Sequence, residues 1–531
     1  MAAEPFNACR WLLDRHVEAG RGGAPALVCR DEEITYAELL DTVHATANGL
    51  ASIGCRPGDR VLMVVDDEPA FPAMFLACMR LGAVPVPVST MLRPAEVAPL
   101  ASDSGTRILV CSSRYAPGVA DMVGGSEVQD VVVADRDGPA PAAEGLPAGI
   151  RVHRLSSWTD PTPVPVAGTT TESVALWLYT SGTTGRPKGA IHRHGDLRAV
   201  AETYAASVLG IGPDDVCYSV PKLFFAFGLG NALIFPLAAG ARSVIDPDPP
   251  TPARVAGLAA RHRPTLFFAP PGFCAALADS DVPGDMLASA RATVTAGEVL
   301  PEEVLRRFRS RFGTEMLDGI GSTEALHIFC SNHPGAVRPG TSGRPVAGYD
   351  LKLVGDDGSQ ITTADTPGAL WVRGPSIAVG YWQRPELNQE TFVDGWLRTG
   401  DFYSRSQDGY YRFVGRNSDM IKAGGIWVSP AEVESVLLEH PAVLEAAVIG
   451  ARDRSGLETA VAFVVPRRGA EIDVADLLAH CRRRMAAFKR PRQVHVVEAL
   501  PRTATGKVKR FELRASFDAT GATDLSAAAP A

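Results

Sequence analysis

The densest chemistry in this sequence lies in Tyr179 to Gly189, YTSGTTGRPKG, which follows directly on the apolar run Val174 to Leu178. Gly182 and Gly185 let backbone amides turn toward an anion. The hydroxyls of Thr180, Ser181, Thr183 and Thr184 can donate to phosphate oxygens, and Lys188 adds positive charge. The stretch reads as a phosphate loop entered from a strand. GxxxxGK[ST] and GxGxxG occur nowhere in the chain, so it is neither a Walker loop nor a dinucleotide fingerprint. A flexible Ser/Thr/Gly linker would explain neither the strand before it nor the Pro-Lys-Gly ending.

Four later segments carry isolated charged residues: GSTE at Gly321 to Glu324, TGD at Thr399 to Asp401, GRNSDMIKAGG from Gly415, and PRTATGKVKR from Pro501. Taken singly, each has a plain structural reading. Glu324 after Ser-Thr would cap a helix start, Asp401 and Arg416 would form a surface ion pair, and Lys507 would be a solvated lysine in a Gly-Lys loop.

Taken together and in this order, with the phosphate loop first, the motifs resemble those of the adenylate-forming superfamily of acyl-CoA synthetases, peptide-synthetase adenylation domains and firefly luciferase. The resemblance covers nearly the whole chain. It implies that ATP and Mg²⁺ are used to turn a carboxylic acid into an acyl-adenylate. A carboxylate attacking an α-phosphorus meets charge repulsion and a charged leaving group, so the site needs cations and oriented donors more than a base. Glu324 would hold Mg²⁺ together with substrate phosphates, with Lys188 as a phosphate-binding cation. Asp401 and Arg416 would bind the ribose. Lys507 would enter the site during adenylation, bridging the acid's carboxylate and the α-phosphate. The resemblance extends the ATP site to Gly297, Glu298, Asp318, Gly319, Ile320, Gly321, Ser322 and Thr323, and puts a hinge at Ser418.

Two segments, PKLFFAFGLGNALIFPLAAGA (Pro221 to Ala241) and DGIGSTEALHIFCSN (Asp318 to Asn332), resemble the benzoate-CoA ligase branch more closely than the fatty-acid branch. The acid site this implies is a flat apolar slot for one ring, built from Phe225, Ala226, Phe227, Gly228, Ile320, Ala325, His327 and Ile328. Phe227 stands where the branch commonly has Tyr, and Ala325 where it has Met. Both changes remove atoms, so ring-substituted benzoates are expected substrates beside benzoate. For coenzyme A, Gly424 and Gly425 would let a backbone lie close to the pantetheine arm with Trp427 nearby. By resemblance, Phe488 and Arg490 would meet its nucleotide end. The main alternative is a stand-alone aryl-adenylating enzyme loading a carrier protein or an amine. A non-catalytic nucleotide-binding protein would be expected to lack Glu324 or Lys507.

Elements able to position these residues follow from the pattern of apolar runs. From about residue 25 to 330, short apolar runs alternate with amphipathic stretches, the mark of βα units and parallel sheets. Arg60 to Val65 and Val84 to Val88 read as strands around a helix from Ala70 to Leu81. Leu266 to Ala269 and Ala292 to Thr295 read as strands, and Pro301 to Phe312 as a surface helix. Beyond about residue 340, short strands separated by Asp357-Gly358 and Asp408-Gly409 turns predict a small antiparallel β subdomain. A new α+β pattern begins at Ser429, a helix cap. The expected fold is therefore α/β: a large N-terminal domain over residues 1–417, a small mobile α+β domain over 418–519, and a disordered tail over 520–531.

Composition narrows the partners. The chain has 531 residues and a formal net charge of −8, which offers no general field for nucleic acid or anionic lipid. Nine scattered cysteines without a CxxC pair suggest neither a disulfide framework nor a zinc site, and a reducing cytoplasm fits best. No basic start and apolar core mark a signal peptide, and no apolar run approaches the roughly 20 residues needed to cross a bilayer. A monomer or homodimer with small-molecule substrates is expected.

Overall fold

The computed structural model describes residues 3–134, 146–181, 187–416, 419–423, 426–452, 458–502 and 508–520. Of the tail over 520–531 assigned to disorder above, Thr520 ends the helix Arg510–Thr520 and residues 521–531 lie outside the described residues, as does the hinge candidate Ser418.

Two large sheets carry the N-terminal part. One has five parallel strands in the order Val84–Pro87, Arg60–Val64, Ile108–Ser112, Asp130–Ala134 and Arg151–Arg154. Its central strands are buried along their whole length, as a parallel sheet covered on both faces requires. The other has nine strands, of which Met316–Gly321, Ala292–Thr295, Leu266–Phe268, Val216–Ser219, Arg242–Ile245 and Pro25–Cys29 run parallel in that spatial order. Antiparallel strands Ile328–Ser331 and Glu32–Thr35 flank them. The helix Ala70–Arg80 is apolar on nearly every side and buried accordingly, against helix Tyr36–Ser52.

The change of pattern after residue 340 becomes an antiparallel sheet whose longest strands are Asp350–Val354, Gly368–Arg373, Trp396–Arg405 and Tyr411–Arg416. The glycines of both Asp-Gly turns sit at positive φ, +79° at Gly358 and +87° at Gly409, where other residues are strained. Ser429 caps helix Pro430–Leu438, its hydroxyl accepting from the Glu432 amide at 3.2 Å. The helix packs on a mixed sheet of Val443–Arg452, Glu458–Pro466 and Gln493–Val496, which has its own apolar core. All nine cysteines are buried with free thiols. Among the described residues no helix is long and apolar enough to cross a membrane.

Candidate active site

The apolar run before the phosphate loop extends further than its composition suggests. Strand Val174–Ser181 continues through Tyr179, Thr180 and Ser181 and pairs antiparallel with Pro187–Arg193, placing Thr180 opposite Lys188. The loop is thus the tip of a hairpin, and its residues Gly182, Thr183, Thr184 and Gly185 lie outside the described residues. β-branched threonines and the bulky Tyr179 suit a pleated strand, so the polar half of the motif begins while the chain is still extended.

A third strand, Gly380–Tyr381, pairs with Pro187–Arg193 and brings in a residue that sequence reasoning missed. Lys188 Nζ donates to the Tyr381 hydroxyl at 2.8 Å, and that hydroxyl donates to Glu324 Oε1 at 2.6 Å. The lysine and the carboxylate themselves are 4.0 Å apart. Tyr381 stands 193 residues from Lys188 and 57 from Glu324, so no local pattern links it to either. Burial and the neighbouring carboxylate both push its hydroxyl up, which keeps it a proton donor to Glu324. Burial lowers the Lys188 ammonium, and Glu324 opposes that shift.

Glu324 sits in the short turn Thr323–Ala325, capped by Ser322 as the motif suggests when read alone. A second unforeseen pair holds this turn. Buried His192 meets Asp196 at 3.0 Å through Nδ1 and the Thr323 carbonyl at 2.8 Å through Nε2. Next to it, a Cβ added at Gly321 would come within 2.5 Å of the His327 carbonyl, so the hairpin Met316–Gly321 to Ile328–Ser331 closes only on glycine there.

Across a cleft of about 2730 Å³ the remaining candidates converge. Gly297, Glu298, Asp318, Gly319, Ile320, Gly321, Ser322, Thr323, Asp401 and Arg416 line it, as do Phe225, Ala226, Phe227, His327 and Ile328. Asp401 and Arg416 face each other across paired strands and form an ion pair at 2.8 Å; the arginine side chain is half exposed. Asp318 differs from a free ligand: its buried carboxyl accepts from Thr295 at 2.9 Å and burial pushes it up to about 8. Its carbonyl is taken by the Asn332 amide and side chain. Glu298 accepts from the Gly272 amide at 3.0 Å and lies 3.7 Å from Arg502 on the opposite wall.

Two slot residues are corrected. Ala325 is fully buried, its carbonyl accepting from Ser376 at 2.6 Å, and it does not line the cleft, because the turn after Glu324 directs it into the core. Gly228 also lies behind the wall, packed so tightly that a Cβ would meet the Lys222 carbonyl at 2.0 Å. Ala325→Met is therefore expected to overpack the core and destabilise the protein by about 1–3 kcal/mol, read as a lower melting temperature. If stability is unchanged while acid preference shifts, the residue faces the slot after all.

Of the coenzyme A candidates only Arg490 has a described side chain, and it does not line the cleft. Gly424 and Gly425 lie outside the described residues, as do the side chains of Trp427 and Phe488. Arg490 spends its guanidinium on the carbonyls of Met485 at 3.0 Å and Arg482 at 3.3 Å, closing the end of helix Val474–Arg484. The cleft wall from this part of the chain is instead helix Pro430–Leu438, Leu444 to Ala446, Arg502 and Val508 to Phe511. Arg502 and Val508, both on the cleft wall, bridge each other; Lys507, between them in sequence, lies outside the described residues.

The hard oxygen chemistry suits Mg²⁺. Among the described residues no cluster of three His, Cys, Asp or Glu side chains could hold a metal alone. A single carboxylate beside a phosphate-binding loop fits an ion that takes its other oxygens from substrate and water.

The chain matches the AMP-binding enzyme family over residues 13–382 and the AMP-binding enzyme C-terminal domain over residues 432–507. It belongs to the adenylate-forming, AMP-binding enzymes. Within them, it is similar to a benzoate–CoA ligase of Thauera aromatica, 44% identical over 519 residues covering 97% of this chain and 96% of that one. A 4-hydroxybenzoate–CoA/benzoate–CoA ligase of Rhodopseudomonas palustris is 39% identical over 97% of this chain and 95% of its own length. A crystal structure of a benzoate CoA ligase from Burkholderia xenovorans LB400 superposes with a TM-score of 0.87 at 38% identity, over 96% of this chain and 100% of that one. For this adenylate-forming enzyme, Tyr381→Phe removes the hydroxyl between Lys188 and Glu324. A lost hydrogen bond to a charged group is worth roughly 1.5–3 kcal/mol, so adenylation should fall about ten- to a hundredfold. Pyrophosphate release at saturating ATP measures it, and an unchanged rate would leave Tyr381 a packing residue.

Proposed function

We propose that this protein is an ATP-dependent aryl acid–CoA ligase that activates benzoate or a substituted benzoate as its acyl-adenylate and transfers the acyl group to coenzyme A. The observation that carries this is an apolar wall of Phe225, Ala226, Phe227, Ile320 and Ile328 in the same cleft as Asp401, Arg416 and the Gly319 to Thr323 segment, in a chain similar over nearly its full length to benzoate–CoA ligases. Loading of a carrier protein or amine is the less favoured reading.

In the first step a carboxylate oxygen of the acid attacks the α-phosphorus of ATP, the bond to the β-phosphate oxygen breaks, and pyrophosphate leaves. Glu324 and the substrate phosphates would hold Mg²⁺, which would supply positive charge against the leaving pyrophosphate. Lys188, oriented by Tyr381, binds phosphate beside it, together with Thr180, Ser181 and the loop amides. Asp401 accepts from the ribose hydroxyls and Arg416 donates to the same sugar. In the second step the thiol sulfur attacks the acyl carbonyl, the mixed-anhydride C–O bond breaks, and AMP leaves.

The division at residues 417 and 418 gives this chemistry two settings. Arg502 and Val508 to Phe511 line the cleft and Arg490 does not, which supports a reorientation of residues 418–519 between the steps. A reducing cytoplasm is supported by nine buried free thiols. The test is a panel of benzoate, hydroxybenzoates, aminobenzoates, cinnamate and short fatty acids, with AMP release followed with and without CoA. Turnover confined to fatty acids, or AMP release indifferent to CoA, would overturn the reading.

A further inference from the structure

Asp103 is the next-to-last residue of helix Pro94–Ser104, at the end where helix carbonyls disfavour a negative charge, and no basic residue stands in that last turn. Local structure gives no reason for a carboxylate there. Its partners are distant. Oδ2 accepts from the Tyr179 hydroxyl at 2.7 Å and Oδ1 from the Arg384 guanidinium at 2.7 Å, across 76 and 281 residues. The backbone carbonyl of the same residue accepts from Trp382 Nε1 at 3.1 Å.

These partners belong to the phosphate hairpin and its third strand. Tyr179 lies on strand Val174–Ser181, directly before Thr180 and opposite Gly189. Trp382 and Arg384 follow the strand Gly380–Tyr381, and the Trp382 amide donates to the Gly189 carbonyl at 2.9 Å. Pro187–Arg193, which carries Lys188, is the middle strand of this sheet. Both outer strands are therefore tied to one side chain. Its seat is closed by Arg60, which donates to the carbonyls of Ser104 at 2.9 Å and Gly105 at 3.0 Å and lies 5.9 and 6.0 Å from the ring centres of Trp177 and Trp382. Those two rings, one from each outer side of the sheet, pack at 4.7 Å. Burial and the Asp103 carboxylate push the Tyr179 hydroxyl up, so it stays protonated and donates. An isolated surface ion pair contributes little. A carboxylate whose two oxygens are taken by different strands fixes the spacing between those strands.

We propose that Asp103 is a positioning residue for the polyphosphate of ATP: by tying both outer strands to one helix end, it sets where Lys188 on the middle strand meets the Tyr381 hydroxyl and hence where both meet the β- and γ-phosphates. This rests on the phosphate role given to Lys188 above and adds a residue that lies in none of the motifs.

Calorimetric titration with ATP and with AMP, each with Mg²⁺ and without acid, tests it, because AMP occupies the nucleotide site without β- and γ-phosphates. Asp103→Leu keeps the side-chain size and removes both acceptors. Its Kd for ATP should rise roughly ten- to a hundredfold, the cost of a small misplacement of a binding group, while its Kd for AMP is unchanged. Asp103→Asn should restore ATP binding, since its amide oxygen accepts from Arg384 and its amide nitrogen donates to Tyr179, whose hydroxyl can reverse its role. Arg384→Met releases one strand only and should weaken ATP roughly fivefold or more, the worth of a hydrogen bond to a charged group, again without effect on AMP. The proposal is overturned if Asp103→Leu binds ATP as the wild type does, if it loses ATP and AMP alike, or if Asp103→Asn is as impaired as Asp103→Leu. Should Asp103→Leu not fold, Arg384→Met decides: no change, or equal change for both nucleotides, overturns it. Neither titration contains an aryl acid, so this result and the ligase reading fail independently.

Discussion

Replacing Glu324 by alanine is expected to lower aryl-adenylate formation by on the order of a thousandfold or more, because in the proposed mechanism the leaving pyrophosphate would lose the carboxylate that holds its counter-ion, an effect of several kcal/mol. The geometry adds a second loss. Glu324 Oε1 accepts from the Tyr381 hydroxyl, which in turn accepts from Lys188, so its removal also frees the lysine from its fixed place. Glu324→Gln separates the two effects: an amide oxygen still accepts from Tyr381 but binds Mg²⁺ far more weakly. Both variants should therefore fail at ordinary Mg²⁺, with only Glu324→Gln partly recovered by raising it. The measurement is pyrophosphate release against Mg²⁺ concentration. Near-wild-type rates in Glu324→Ala would remove this residue from the site.

A comparable loss, confined to one half-reaction, is expected at Lys507. Charge develops at the α-phosphate during adenylation, so Lys507→Ala should cost on the order of a hundredfold or more in pyrophosphate release. Thioester formation from supplied aryl-AMP has a thiol attacking an activated carbonyl, and should survive. Gly425→Phe should give the opposite pattern, with adenylate formed and CoA left unconsumed, because bulk there blocks the pantetheine arm. Arg502 and Val508, which flank the Lys507 segment in sequence, stand on the cleft wall. Each variant is assayed with the acid and, separately, with aryl-AMP. Equal damage to both half-reactions in both variants would refute a domain that serves them in turn.

The parallel sheets were legible because a strand covered on both faces is apolar nearly throughout, and runs such as Val84–Pro87 and Leu266–Phe268 are. The helix at Glu302–Phe312 and the cap at Ser429 were equally plain, since both are set by residues within one turn of each other. Motifs whose residues are neighbours in sequence, such as Gly319 to Thr323, named one stretch of the cleft wall for the same reason. The Asp401–Arg416 pair shows the intermediate case: both residues were marked, but their ion pair depends on the register of two strands.

What only the tertiary structure decided are relations between distant parts of the chain. Tyr381 joins Lys188 to Glu324 through the edge pairing of a two-residue strand, and His192 reaches the Thr323 carbonyl across 131 residues. Neither follows from propensity or spacing, because a side chain's partners across a sheet are fixed by register and not by its neighbours. Residue type also left direction undetermined. Ala325 next to a catalytic motif could face slot or core, and the turn at Thr323–Ala325 turned it inward. Arg490 could meet a ligand or cap a helix, and the nearest unsatisfied carbonyls took it. The amino-acid sequence alone determined which chemistry this protein carries; the packing of its sheets decided which side chains stand behind that chemistry.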